Sequence, residues 1–223
     1  DYSKFATTID DDRYNRKLPL PTSVIDEVLG RIRLLSDWHY PGLEIGPHDG
    51  EFTSHLVAND PLYIVDVFKE YLDTTKATFN ELYQARLRSY HISLSNTPFL
   101  GMLPKEQYGV VFCWNTFNYL PFNIVKQYMT EVFDLLRPGG TFMFSFNDAS
   151  MVNGAKHVEW GGMAYMTKSM IIDAATNLGY EISYSFSKDT DWHNVSWLEI
   201  KKPGQLATIK AHQTLGIIKY ISE

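Results

Sequence analysis

The stretch Leu43-Glu44-Ile45-Gly46-Pro47-His48-Asp49-Gly50-Glu51-Phe52 decides how the rest of the chain is read. Gly42 to Ile45 reads as a short strand, and two glycines four positions apart close the turn behind it. Gly46 can take a backbone conformation denied to other residues and lets main chain approach a ligand closely. A helix is predicted to start near Glu51, and its first N–H groups would be free to meet an anion. The Gly-x-x-x-Gly spacing is not the G-x-G-x-x-G of a dinucleotide turn, which disfavours a nicotinamide dehydrogenase. The plainer alternative is a turn that needs glycine for steric reasons alone.

Working outward, strand-like and helix-like segments alternate. Upstream, Val24, Ile25, Val28, Leu29, Ile32 and Leu35 share one helical face, and Ser23 with Asp26 has the form of a capping box. Downstream, Leu62 to Val65 is a compact apolar strand, followed by a helix carrying Tyr71, Leu72, Phe79, Leu82 and Tyr83. Ser89 to Ile92 and Gly109 to Trp114 are the next strands. Ile124, Val125, Tyr128, Met129, Val132, Phe133 and Leu136 have helical spacing, and Pro138-Gly139-Gly140 stops that helix. Thr141 to Phe146 is a fifth strand. Thr167 caps a helix with Met170, Ile171, Ala174, Ala175 and Leu178 inward, ended by Gly179. Tyr180 to Phe186 and Asn194 to Ile200 are two last strands joined by a polar loop. This order predicts an α/β fold: a three-layer sandwich of about seven mostly parallel strands with helices on both faces.

At 223 residues with 44% hydrophobic content, the chain fits a single globular domain. Residues 22–200 form its expected core, 1–21 an N-terminal arm or lid, and 201–223 a C-terminal extension. The extension carries Leu206, Ile209 and Ile217-Ile218, which would pack on the sheet or on a second subunit, so a homo-oligomer is left open. A formal net charge of −6 gives no electrostatic reason to gather on nucleic acid or an acidic membrane, and neither is an expected partner. No apolar run has membrane-spanning length, and a cytoplasmic location is the expectation. Cys113, the lone cysteine, lies in an apolar run and reads as a small core residue. No Cys/His cluster has zinc spacing, and no metal is expected.

Further residues give the turn a chemistry. Asp66 ends the run Leu62-Tyr63-Ile64-Val65 and stands about twenty residues beyond the turn, where an acid can accept both hydroxyls of a ribose. With Glu44, Gly46 and Gly50, the turn resembles the acidic-x-Gly-x-Gly-x-Gly motif of the class I, Rossmann-like S-adenosylmethionine-dependent methyltransferases; His48 replaces the middle glycine. Asp66-Val67-Phe68, Leu94 in His91-Ile92-Ser93-Leu94, Tyr108-Gly109-Val110-Val111 and Leu135-Leu136-Arg137-Pro138-Gly139-Gly140 are similar to that family's later segments, so the resemblance runs from about Ser23 to Ile200. Ser93 stands where an Asp usually meets the adenine, and the usual acid is missing from strand four. The resemblance implies S-adenosylmethionine as cofactor. It would be held by Glu44, Gly46, Pro47, His48 and Gly50, by Asp66 and Val67, by Ser93 and Leu94, and by Trp114 and Asn115.

The implied reaction is methyl transfer to a small-molecule acceptor, with a non-catalytic binding or assembly module of the same fold as the alternative. Such ligands lie beyond the carboxyl ends of the strands. The loops expected there carry Tyr119, Asp148, Trp160 and Trp192 as acceptor-binding candidates, and His157 and His193 as candidate bases, imidazole being the side chain that titrates nearest neutrality. Asn147-Asp148 is similar to the acidic end of metal-dependent O-methyltransferases, but its order and the missing acid of strand four speak against a metal. No Asn-Pro-Pro-Tyr or Pro-Cys points to a nucleobase amine or cytosine C5.

Overall fold

The computed structural model describes residues 21–189 and 194–205. Seven strands form one sheet: β1 (Gly42–Ile45), β2 (Leu62–Asp66), β3 (Arg88–His91), β4 (Tyr108–Cys113), β5 (Leu136–Phe146), β6 (Glu181–Asp189) and β7 (Asn194–Lys201). Their order is β3-β2-β1-β4-β5-β7-β6. The first five are mutually parallel, with Ile45 level with both Val65 and Cys113. β7 runs antiparallel between β5 and β6, with Phe144 opposite Leu198 and Phe186 opposite Trp197. All six residues of β4 are buried, as a central strand covered on both faces requires.

The helices are α1 (Thr22–Leu35), α2 (Lys69–Ala77), α3 (Glu81–Gln84), α4 (Phe122–Leu135), α5 (Val152–Glu159) and α6 (Lys168–Asn177). One side of the sheet packs on Ile124, Val125 and Met129 of α4 and on Ile171 and Ala175 of α6. The other packs on Val28 and Ile32 of α1 and on Phe52 and Leu56. The expected three-layer α/β sandwich is therefore the one observed.

Several expectations need correction. The helix expected from Glu51 is only a 3-10 turn, Thr53–His55. Phe52 and Leu56 turn into the core, and the Asn59 side chain donates to the Leu56 carbonyl and the Ser36 hydroxyl, which fixes the chain before a helix can propagate. Pro61 then holds the preceding residue out of helical space. The Ser23–Asp26 capping box does not form: the N-cap of α1 is Pro21, with no side-chain bond. The helix expected around Tyr71 to Tyr83 breaks in two, because the Asn80 side chain accepts from the Tyr83 amide at 2.9 Å and starts α3 afresh. β6 runs on to Asp189, and α5 occupies a segment expected to be loop. Thr167 does cap α6, accepting from the Met170 amide.

Charge ties α1 to the far strands. Arg31 donates from Nε to Glu199 Oε1 at 2.7 Å and from Nη2 to Glu199 Oε2 at 2.5 Å. Trp197 Nε1 also donates to Glu199 Oε1, at 3.0 Å, and the guanidinium lies 4.2 Å over the Tyr184 ring. Glu199 is wholly buried, so its charge depends on this fork. Replacing Arg31 by Met should therefore destabilise the protein by about 3 kcal/mol, the low end for orphaning a buried charge. Urea unfolding reads this directly, and a midpoint equal to that of the parent would show the pair to be without consequence.

Candidate functional site

Because β1, β2, β3 and β4 are parallel, the segments that leave Ile45, Asp66, His91 and Cys113 lie along one end of the sheet. The chain leaves β1 toward β2 but enters β4 on the other side of β1, so a crevice opens between the turns after β1 and β4. Gly46 stands there with φ of +69°, and its amide donates to the Val65 carbonyl at 2.8 Å. A Cβ on Gly46 would lie 2.1 Å from Thr116 Oγ1. The glycine is thus demanded by a contact across the crevice as well as by its backbone angle.

His48, at the position of the missing middle glycine, has φ of +55°, a left-handed conformation that histidine adopts more readily than most residues other than glycine. The His48 ring packs 4.3 Å from Tyr71, and its carbonyl accepts from Thr75 Oγ1 at 3.2 Å. Pro47 is buried, with its carbonyl accepting from the Gly50 amide at 2.8 Å, and Gly50 has φ of +84°.

Two acids lie beneath this turn. Glu44 is buried in β1, and Thr53 Oγ1 donates to its Oε2 at 2.6 Å. Burial pushes the Glu44 carboxyl up to about 8, and the Asp66 charge adds to this against the Thr53 bond. Asp66, buried at the end of β2, accepts from the Phe68 amide at 2.9 Å. Burial raises it to about 6, opposed by that amide and the His48 ring. Val67 and Leu94 are half-buried against the core, and Ser93 is exposed with its hydroxyl accepting from the Ser95 amide.

Beyond β4, half-buried Trp114 packs on Phe52 and Trp197, with centroids 5.0 and 6.1 Å away. Asn115 is left-handed at φ +57°, and its amide donates to Ser145 Oγ at 2.7 Å. Tyr119 is half-buried in the 3-10 turn Phe117–Tyr119. Asp148, expected to face an acceptor, is instead buried and engaged: its Oδ1 accepts from the Ser150 amide and hydroxyl and from the Lys168 amide. His157 lies near the C-terminal end of α5 with its ring edge-on to Trp160 at 5.7 Å, and Trp160 is 71% exposed. Trp192 and His193 lie outside the described residues, as do 1–20 of the N-terminal arm and 206–223 of the C-terminal extension.

Thr116 and Thr53 join the site without any mark in the sequence. Nothing local distinguishes either one, since each matters through a partner in another segment, Gly46 and Glu44. Cys113 is fully buried and burial pushes its thiol up, as befits a small core residue. Among the described residues no three His, Cys, Asp or Glu side chains gather as a metal would need, and no helix is long and apolar enough to cross a membrane.

Known proteins share this fold. Residues 43–140 match the methyltransferase domain family. The magnesium protoporphyrin IX methyltransferase of Synechocystis PCC 6803, solved with bound S-adenosylhomocysteine, superposes with a TM-score of 0.69 at 13% identity, covering 91% of this chain and 100% of that one. The N-methyltransferase NodS of Bradyrhizobium japonicum WM9, also with S-adenosylhomocysteine, gives 0.65 at 16% identity, over 91% and 98%. No curated protein matches in sequence. Over residues 43–140 the chain matches the methyltransferase domain family, and its fold is that of the class I, Rossmann-like S-adenosylmethionine-dependent methyltransferases.

The crowding at Gly46 and the burial of Glu44 can each be measured. Gly46→Ala should lower the melting temperature in the parent, and less so in a Thr116→Ala background, where the Oγ1 is gone and the Thr116 Cβ stands 3.1 Å away. Equal losses in both would leave backbone strain, about 1–3 kcal/mol, as the whole effect. For Glu44, the folded value exceeds the unfolded one, so the folded state holds a proton that the unfolded state has lost. Its stabilisation is complete below the ordinary carboxylate range and is lost as pH rises through about 8. Glu44→Gln should flatten the fall of stability over that window in urea titrations at successive pH values.

Proposed function

We propose that this protein transfers the methyl group of S-adenosylmethionine to a small-molecule acceptor held beyond the ends of β4 and β5. The observation that carries the reading is the Asp66 carboxylate, buried at the end of β2 beside the Gly46–Gly50 turn. A carboxylate there suits the two hydroxyls of a ribose, since both are donors and an ionised acid only accepts. When bound, the cofactor supplies an electrophilic methyl group on a sulfonium.

The chain's own part is to bind, orient and exclude water. Glu44, Gly46, Pro47, His48 and Gly50 form the turn over which the cofactor would lie, with Asp66 and Val67 at the ribose. Ser93 and Leu94 would flank the adenine, with Trp114 and Asn115 closing the other wall. Holding the two reactants in line accounts for most of the acceleration such a displacement needs. Tyr119, Trp160 and Trp192 are the proposed acceptor contacts. Asp148 would contribute by fixing the segment from Ser150 to Lys168. His157 and His193 are the proposed proton acceptors.

Asp66→Ala should weaken S-adenosylmethionine and S-adenosylhomocysteine alike, by tenfold or more, because a charged acceptor to a donor contributes about 1.5–3 kcal/mol. In the parent, affinity for both should rise as pH increases through about 6, where Asp66 ionises, and Asp66→Asn should remove that rise. Calorimetry over a pH series measures both effects. Loss of one ligand without the other would remove Asp66 from the ribose.

A further inference from the structure

Two segments that lead into the sheet leave apolar side chains in water. Leu34 and Trp38, at the end of α1 and just before β1, are 68% and 69% exposed, and Val57 and Ala58, ahead of β2, are exposed too. The Asn59 side chain joins the two segments: its Nδ2 donates to Ser36 Oγ at 3.0 Å and its Oδ1 accepts from the Asp37 amide at 3.2 Å. Leu34, Trp38 and Ala58 line one open pocket of about 400 Å³. Trp38 is held there by its neighbours. Its ring centroid lies 3.8 Å from that of His39, whose Nδ1 is 2.6 Å from Asp37 Oδ1. A large apolar ring ordered at the surface, with further apolar side chains beside it, marks a place that another apolar group covers.

The last described residues leave from this same end of the sheet. Lys201 of β7 is level with Thr141 of β5, Thr141 with Val110 of β4, and Val110 with Gly42 of β1. Three steps between neighbouring strands, roughly 15 Å, therefore separate Lys201 from the residue at which β1 begins. The Lys202 carbonyl accepts from the Gly139 amide at 2.9 Å, and the nearby Arg137 guanidinium lies 4.9 Å over the ring of Tyr40, two residues beyond Trp38. Of the residues that follow Gln205, Leu215-Gly216-Ile217-Ile218-Lys219-Tyr220-Ile221 is the most apolar stretch. The residues from Gln205 to Leu215 can span up to about 33–36 Å when extended, more than the distance needed. The N-terminal arm is a poorer occupant. It joins α1 at Thr22, the far end of a 14-residue helix from the patch, and it carries Asp10-Asp11-Asp12.

We propose that the segment from Leu215 to Ile221 of the same chain seats on Leu34, Trp38 and Val57 and closes this end of the sheet. The patch lies at the opposite end of the strands from the crevice, so the contact stands apart from the methyl-transfer reading. Apolar surface withdrawn from water on both sides supplies the driving force. The tether of about ten residues keeps the segment at a high local concentration, which favours it over a second copy of the chain.

The test uses the full chain with p-benzoylphenylalanine in place of Ile217, irradiated and then mapped by peptide mass spectrometry. A cross-link within one chain, to the peptide around Leu34 to Trp38 or around Val57 and Ala58, is expected. A link to any other region, a link between two chains, or no link overturns the proposal.

Urea unfolding of the full chain gives an independent reading. Trp38→Ser and Ile218→Ser should each lower the midpoint, and the double variant should fall no further than the larger single loss, because either change alone already parts the two surfaces. Midpoints unchanged in the single variants, or losses that add in the double, overturn the proposal. S-adenosylhomocysteine affinity should stay within twofold of the parent in all three variants. A fall of tenfold in Ile218→Ser would place the segment at the crevice and equally overturn it.

Discussion

The Thr116 hydroxyl lies so close to the Gly46 backbone that the turns after β1 and β4 can approach each other in this way only where residue 46 has no side chain. Gly46 follows β1 and Thr116 follows β4, strands that lie side by side although the chain leaves them in opposite directions. Any side chain at 46 would push the two turns apart. The left-handed angles of Gly46, His48 and Gly50 on one side, and of Asn115 on the other, are the backbone's response to so narrow a gap. The crevice is thus shaped by main chain, which is stiffer than a wall of rotatable side chains. The acids below it inherit that rigidity, because Glu44 and Asp66 sit at the ends of the strands from which the first turn springs.

Those two acids divide the electrostatics of the site. Asp66 ionises near neutrality and suits hydroxyl donors, while Glu44 holds its proton to about 8 and supports the turn through Thr53. Burial separates their behaviour, and each charge disfavours the other. One neutral and one charged acid is the arrangement with least repulsion in so confined a space.

Much of this was legible in the sequence because the signals were local. Strand order and layer type follow from the alternation of apolar runs with helical periodicity, and the Gly46–Gly50 turn with Asp66 shows itself by backbone need and spacing. What the sequence hid is non-local. Thr116 matters through a residue seventy positions earlier, and Arg31 through Glu199, 168 positions later. Asp148 has the residue type of a ligand contact, yet Ser150 and Lys168 engage its carboxylate first. The missing helix after Gly50 was hidden by Asn59, whose amide bonds back to Ser36.

The place of β7 governs how the molecule is assembled. β5 and β6 are consecutive in sequence but are not neighbours in the sheet; the last strand of the described core slides in between them. Until Asn194–Lys201 has been made, β5 has an open edge, β6 has nothing to pair with, and Arg31 has no counter-ion. The strands of the turn-bearing half, β1 to β4, are all in place in the sequence by Cys113, whereas β5 gains its second neighbour only from the strand that follows β6. On the ribosome, then, the crevice can be framed early, but the sheet beside it is sealed only from the carboxyl end, and a chain cut short within β7 would leave the edge of β5 open and β6 with no strand to pair with.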